Sequence, residues 1–281
     1  MPKLAIGTVQ FGLDYGITNQ SGQVTIKEVK GILDFAKDNG IDTLDTASGY
    51  GNSEKVLGEV GVDNYQIITK TISLKNGVDK VIDGFYQSLN DLSQKQVEGL
   101  LIHNIQDIEN KQFSALFNKL NELKQQGLIK KIGFSTYTPE QVNFLLENFD
   151  FNIIQVPFNV FDTRLIQSGQ LQALKSKGVE IHARSVFLQG VLLDFDNLSD
   201  YFLTWKAQFT EYQVMVKNSG LSLLEYALNF VLSIQEIDRV LVGVNNEQQL
   251  REITLSLKGL DSLEDYFIND MNLLNPSLWK V

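Results

Sequence analysis

Short apolar runs alternate with longer amphipathic segments from the start of the chain to about residue 257, with no Pro/Gly/Ser-rich linker between them. The strand-like runs are Leu4–Gly7, Thr43–Thr46, Gln66–Thr69, Gly99–Ile102, Ile129–Phe134, Ile153–Val156, Val179–Arg184 and Val240–Val244, eight in all. Between them the apolar positions take helical spacing, as at Val29, Leu33 and Ala36 within Ile26–Asn39 and at Leu116, Leu120 and Leu123 within Phe113–Gln126. Val78–Leu92 and Pro139–Asn148 read the same way. Three helices are expected to stop at Asn39-Gly40, Gln126-Gly127 and Lys177-Gly178, where glycine takes the left-handed conformation past the last turn. Near-continuous apolar strands with crossover helices predict a parallel sheet covered on both faces, and eight such units close into a barrel. The fold class predicted is α/β, a (β/α)8 TIM barrel in a single domain over residues 1–281, with 260–281 as a C-terminal tail on or near the barrel. The competing fold, a doubly wound open sheet, is weakened by Gly7-Thr8-Val9-Gln10-Phe11-Gly12 after the first strand, which lacks the glycine spacing of a dinucleotide-binding turn.

Composition narrows the setting. At 281 residues and 43% hydrophobic content the chain can bury a full core. It has no cysteine, which excludes a disulfide framework and a thiolate metal site. The opening Met1-Pro2-Lys3-Leu4-Ala5-Ile6-Gly7 lacks a basic stretch followed by a long apolar one, and no window approaches the ~18 apolar residues of a membrane span, so the cytosol is the expected location. A formal charge of −10 opposes binding to phosphate backbones, and nucleic acid is not an expected partner. The one basic pair, Lys130-Lys131, reads as a solvated face.

In a barrel the C-terminal strand ends converge on one mouth, so polar residues there are candidates for chemistry. The second strand ends in Asp45 with Tyr50 in the loop beyond, the third in Lys70 and the fourth in His103, a chemically coherent set. The other histidine, His182, lies inside the seventh apolar run and reads as a core residue.

Asp45-Thr46-Ala47-x-x-Tyr50-Gly51-x-Ser53-Glu54, then Lys70, then Leu101-Ile102-His103, resembles the aldo-keto reductase signature in order and spacing. The similarity continues through Lys131-Ile132-Gly133-Phe134-Ser135, Ile154-Gln155-x-Pro157-x-Asn159, Arg184-Ser185-x-x-Leu188-x-Gly190 and Val242-Gly243-Val244 with the helix Glu247–Leu257, and so covers nearly the whole barrel. It implies Asp45, Tyr50, Lys70 and His103 as the catalytic group. A phenol, with a reference pKa of about 10, is a poor proton donor at neutral pH unless a neighbouring ammonium stabilises its anion. Lys70 is expected to do this for Tyr50, Asp45 to supply the lysine's counter-charge, and His103 to hold the substrate carbonyl. None of these side chains can carry hydride, which must come from a reduced nicotinamide.

The resemblance implies NADP(H), and a set of residues to hold it. Thr8, Val9 and Gln10 follow the first strand, Asp45 ends the second, Ser135 and Gln155 match positions that hold the nicotinamide carboxamide, and Thr136 stands where many members have Asn. Arg184, Ser185, Leu188 and Gly190 match the loop that packs on the nicotinamide and cradles the pyrophosphate, Arg184 replacing an aromatic. Gly243, Val244, Asn245, Gln249 and Glu252 are expected on the adenosine half. The lysine or arginine that usually recognises a 2′-phosphate is missing or displaced to Arg251, which keeps NAD(H) as an alternative.

The expected activity is NAD(P)H-dependent reduction of an aldehyde, ketone or sugar-derived carbonyl, or the reverse oxidation of an alcohol. A barrel that senses cofactor or docks a partner with little turnover, as in potassium-channel β subunits of this family, is the alternative, and the complete four-residue set argues against it. A metal-dependent barrel isomerase or hydrolase would need a carboxylate cluster at the mouth. With two histidines and no cysteine none is found, and no metal is expected. The segment Asn197–Phe209 is expected to pack on the barrel, and the short tail to leave the pocket open, as suits a sugar or sugar derivative. The protein is expected to be a monomer or weak homo-oligomer.

Overall fold

Eight parallel strands close on themselves in sequence order, β1 (Leu4–Gly7), β2 (Thr43–Asp45), β3 (Gln66–Lys70), β4 (Val97–Ile102), β5 (Ile129–Ser135), β6 (Ile153–Pro157), β7 (Glu180–Arg184) and β8 (Arg239–Gly243), the last pairing with the first. This computed structural model describes residues 3–17, 19, 21–260 and 262–280; Met1, Pro2, Thr18 and Gln20 of the predicted domain, and Asp261 and Val281 of its tail, lie outside them. The first predicted strand matches the observed one, and the other seven differ by one or two residues at their ends, where pairing rather than hydropathy decides the boundary.

Each crossover carries a helix: α1 (Ile26–Asp38), α2 (Ser53–Val60), α3 (Val78–Asp91), α4 (Phe113–Gln125), α5 (Pro139–Asn148), α6 (Gln170–Ser176), then α7 (Lys206–Ser219) and α8 (Leu223–Ser233) before β8, and α9 (Glu247–Leu255) after it. Capping boxes start α5 at Thr138 and α8 at Ser222. Gly40, Gly127 and Gly178 have φ of 71°, 80° and 72°, the left-handed exits read from the sequence. The main core lies between sheet and helices, and Ile68, Leu101 and Ile153 form a second, smaller core inside the barrel.

Within Asn197–Phe209, Phe202, Trp205 and Phe209 are buried against the barrel, in a short helical stretch Asp200–Trp205 that runs into α7. They fix the tail there. The Trp205 Nε1 donates to Asp270 Oδ2 at 3.1 Å, Tyr201 donates to the Asn272 carbonyl at 2.8 Å, and the Tyr266 and Ile268 amides bond to the carbonyls of Val160 and Phe161.

Two-residue alternation sends Glu180, His182 and Arg184 to one face of β7, at the bottom, middle and top of the barrel. The same alternation splits the basic pair. Lys130 is exposed, whereas Lys131 departs from the expected solvated face, because it turns inward between Glu98 at 2.9 Å and Glu180 at 2.6 Å. His182, fully buried, completes the cluster with its Nε2 at 2.7 Å from Glu180. Burial alone would raise the Glu180 carboxyl, but the hydrogen bonds from His182 and Lys131 prevail and hold it down to about 2. Because the folded value is depressed, the stabilisation is full above the ordinary glutamate value of 4.5 and fades as pH falls towards about 2. Glu180→Gln is therefore expected to lower stability by about 2 kcal/mol at neutral pH, with a difference from the parent that shrinks on acidification, as read by urea unfolding across pH.

Candidate active site

Three strand ends bring the expected catalytic group together. Lys70 at the end of β3 is fully buried, and its Nζ donates to Asp45 Oδ1 of β2 at 2.5 Å and to the Thr46 carbonyl at 2.8 Å. The same ammonium stands 4.9 Å from the centroid of the Tyr50 ring. Burial on its own would lower the lysine, but the charge of Asp45 and the neighbouring Tyr50 outweigh it, so Lys70 remains an ammonium. The His103 ring meets Tyr50 edge to face, with centroids 5.8 Å apart. Burial and the Lys70 charge push His103 down to about 4, so it is a neutral imidazole at physiological pH. The set is a phenol and a neutral imidazole side by side over a buried cation, suited to stabilising negative charge that develops on the phenol oxygen.

The rest of the signature serves to hold Tyr50. Gly12 lies against its loop so closely that a Cβ would fall 1.8 Å from the Tyr50 carbonyl oxygen, and a Cβ on Gly51, at φ 59°, would fall 2.3 Å from the Gly12 carbonyl oxygen. Only glycine fits either position. Beneath them the Ser53 hydroxyl sits 2.9 Å from both the Thr8 hydroxyl and the Thr8 carbonyl and 3.2 Å from the Thr46 hydroxyl, while Thr8 donates to the Asp45 carbonyl at 3.0 Å. Glu54 accepts from the Thr69 hydroxyl and, by burial, has a raised carboxyl pKa.

A cavity of about 590 Å³ opens over this group. Asp45, Tyr50 and His103 line it, as do Thr8, Val9, Gln10, Ser135, Gln155, Arg184, Ser185, Gly190, Gly243, Asn245, Gln249 and Glu252. Thr136, Leu188 and Val244, also expected at the cofactor, are instead fully buried behind the lining. Strand alternation or a tight turn directs their side chains into the core; the Thr136 carbonyl still serves, accepting from Arg184 at 3.0 Å. Among the described residues no group of three or more His, Cys, Asp or Glu is placed to hold a metal ion, and no helix is long and apolar enough to cross a membrane.

The sequence profile of the Aldo/keto reductase family matches residues 3–275. The chain belongs to the aldo/keto reductase family. It is accordingly an oxidoreductase. Among curated relatives it is similar to the oxidoreductase sirO of Leptosphaeria maculans, 26% identical over 69% of this chain but only 62% of that one. It is also 26% identical to the L-galactose dehydrogenase of Arabidopsis thaliana, over 80% of this chain and 76% of that protein. The same fold recurs in an aldo-keto reductase from Bacillus halodurans solved in its holo form, with TM-score 0.75 at 18% identity, covering 93% of this chain and 88% of that one.

Against that family background, several cavity residues were not legible in the sequence. Tyr15 reaches the cavity from the loop after β1, and its hydroxyl accepts from Gln189 Nε2 at 3.0 Å across the opening. Tyr137 supports Arg184, whose guanidinium stacks 4.4 Å above its ring. The turn Ser185–Gly190 holds three non-glycine residues in the left-handed region, Ser185, Leu188 and Gln189, each costing about 1–2 kcal/mol. The side-chain amide of Gln155 donates to Asp45 Oδ2 at 2.7 Å, tying a cavity residue to the lysine's counter-ion. Each link joins residues distant in the chain and follows only from barrel closure.

Two outcomes follow from this geometry. Gly51→Ala should shift the Tyr50 loop, lowering kcat of the family's carbonyl reduction by about 100-fold while leaving far-UV dichroism unchanged. The neutral His103 implies that kcat/KM measured across pH will show no acid limb near the ordinary histidine value of 6.5, the limb moving towards about 4.

Proposed function

We propose that this chain reduces the carbonyl group of a small, hydroxylated molecule to an alcohol, with a reduced nicotinamide dinucleotide as hydride source and Tyr50 as proton donor. The observation that carries the reading is the fully buried Lys70 ammonium, held by Asp45 at 2.5 Å and lying beneath Tyr50 at the floor of the cavity. A buried ion pair is costly to desolvate, and here it lies where charge would develop on the phenol as its proton leaves. His103, neutral, donates a hydrogen bond to the carbonyl oxygen and polarises it. Tyr50 then delivers its proton to that oxygen, and the Lys70 ammonium stabilises the phenolate left behind.

The cavity fits the dinucleotide. The buried amide oxygens Gln10 Oε1 and Asn245 Oδ1 lack any hydrogen-bond partner within the protein and lie on residues that line it. When bound, the nicotinamide supplies the hydride. Ser135 and Gln155 would hold its carboxamide, Gln155 through the edge not given to Asp45. Ser185 to Gly190 and the Arg184 cation would receive the pyrophosphate. The tail and Asp200–Trp205 do not line the cavity, which leaves the substrate side open, and the relative named L-galactose dehydrogenase favours a sugar-like substrate.

Tyr50→Phe is the direct test. It should lower kcat/KM for carbonyl reduction by about 100- to 10,000-fold while the dissociation constant of the nucleotide, from quenching of protein fluorescence, stays within about twofold. A variant that keeps full activity would remove Tyr50 from the mechanism.

A further inference from the structure

The cavity is electrically lopsided. Among the described residues, Arg184 is the one lysine or arginine that lines it, and that guanidinium turns towards β5, bonded to the Thr136 carbonyl and stacked on Tyr137. The arm between β8 and α9 is lined by Gln10, Asn245, Gln249 and Glu252, three neutral amides and a carboxylate.

The obvious donors of this arm are already engaged. The Asn245 amide N–H is capped by Gln249 Oε1 at 2.8 Å, and the Gln249 N–H by Asn246 Oδ1 at 2.9 Å, so these amides at the start of α9 have no hydrogen left for an anion. Arg251 points elsewhere: it is paired with Glu247 at 2.6 Å and stacked 4.4 Å over Phe35 of α1, outside the cavity. What remains free, beside the neutral side-chain amide N–H groups of Gln10, Asn245 and Gln249, is acceptor capacity and the Glu252 charge. Asn245 Oδ1 and Gln10 Oε1 are buried without partners, and Glu252 shares one oxygen with Gln248 at 2.9 Å and keeps the other. Such a set accepts from ribose hydroxyl groups, and its carboxylate, with no cation beside it, repels a phosphate dianion.

We infer that Glu252, with Gln249 and Asn245, makes this protein selective for NAD(H) over NADP(H), binding an unphosphorylated adenosine ribose and excluding the 2′-phosphate. The inference rests on the dinucleotide reading above and departs from the NADP(H) expected from the family resemblance. Glu252 carries the discrimination by charge, and Gln249 by occupying, with a neutral amide that caps its own helix, a position from which an arginine could reach the phosphate.

Isothermal titration calorimetry of the full chain with ADP-ribose and with 2′-phospho-ADP-ribose tests this without any turnover, since neither fragment contains nicotinamide. ADP-ribose should bind tighter by about tenfold or more, with NADH and NADPH in the same order. Glu252→Gln should narrow the ratio several-fold, and Gln249→Arg should strengthen binding of the 2′-phosphorylated fragment; circular dichroism checks that both variants fold. Equal or tighter binding of the 2′-phosphorylated fragment by the parent protein would overturn the inference. Selective binding of ADP-ribose without carbonyl reduction would keep it and overturn only the reductase reading, whereas failure of all four nucleotides to bind would overturn both.

Discussion

The ammonium of Lys70 sits where water does not reach, and it is tolerable only because Asp45 meets it at 2.5 Å and the Thr46 carbonyl takes a second hydrogen bond. Much of the surrounding architecture maintains that pair. Asp45 is held from below by Thr8, through the hydroxyl network with Ser53, and from across the barrel by Gln155. Tyr50 is pressed over it by the contact of Gly12 with Gly51. Removing any of these supports would leave an expensive charge poorly solvated, so the stability of the mouth and its chemical potential are coupled through one lysine.

Burial, and after it the same charge, explain the state of His103. Both disfavour a second positive charge, so the imidazole stays neutral and available as a hydrogen-bond donor and acceptor. At the other end of the barrel the logic is reversed. Glu180 lies between Lys131 and His182 and is held ionised, so an ionic cluster occupies the bottom of the barrel. One strand, β7, contributes Glu180 to the stabilising end and Arg184 to the cavity, in keeping with the usual division of labour along barrel strands.

Polarity across the cavity is a third consequence of where few charges stand. Arg184 is the cation that lines one side, while Glu252 and the neutral amides of Gln10, Asn245 and Gln249 line the α9 side.

Hydropathy periodicity alone determined the eight strands, most of the helices between them and the order in which they close, because a buried parallel strand must be apolar on both faces and a covering helix on one. Spacing also located Asp45, Tyr50, Lys70 and His103, since each directly follows an apolar run or its loop. Tertiary structure alone decided the rest. The inward turn of Lys131, the retreat of Thr136, Leu188 and Val244 behind the lining, the Tyr15–Gln189 contact across the opening and the link from Gln155 to Asp45 all depend on which face a side chain takes or on contacts between residues up to 174 positions apart. A one-dimensional pattern carries the period of burial. It does not carry the distances between strands that only closure of the barrel brings together.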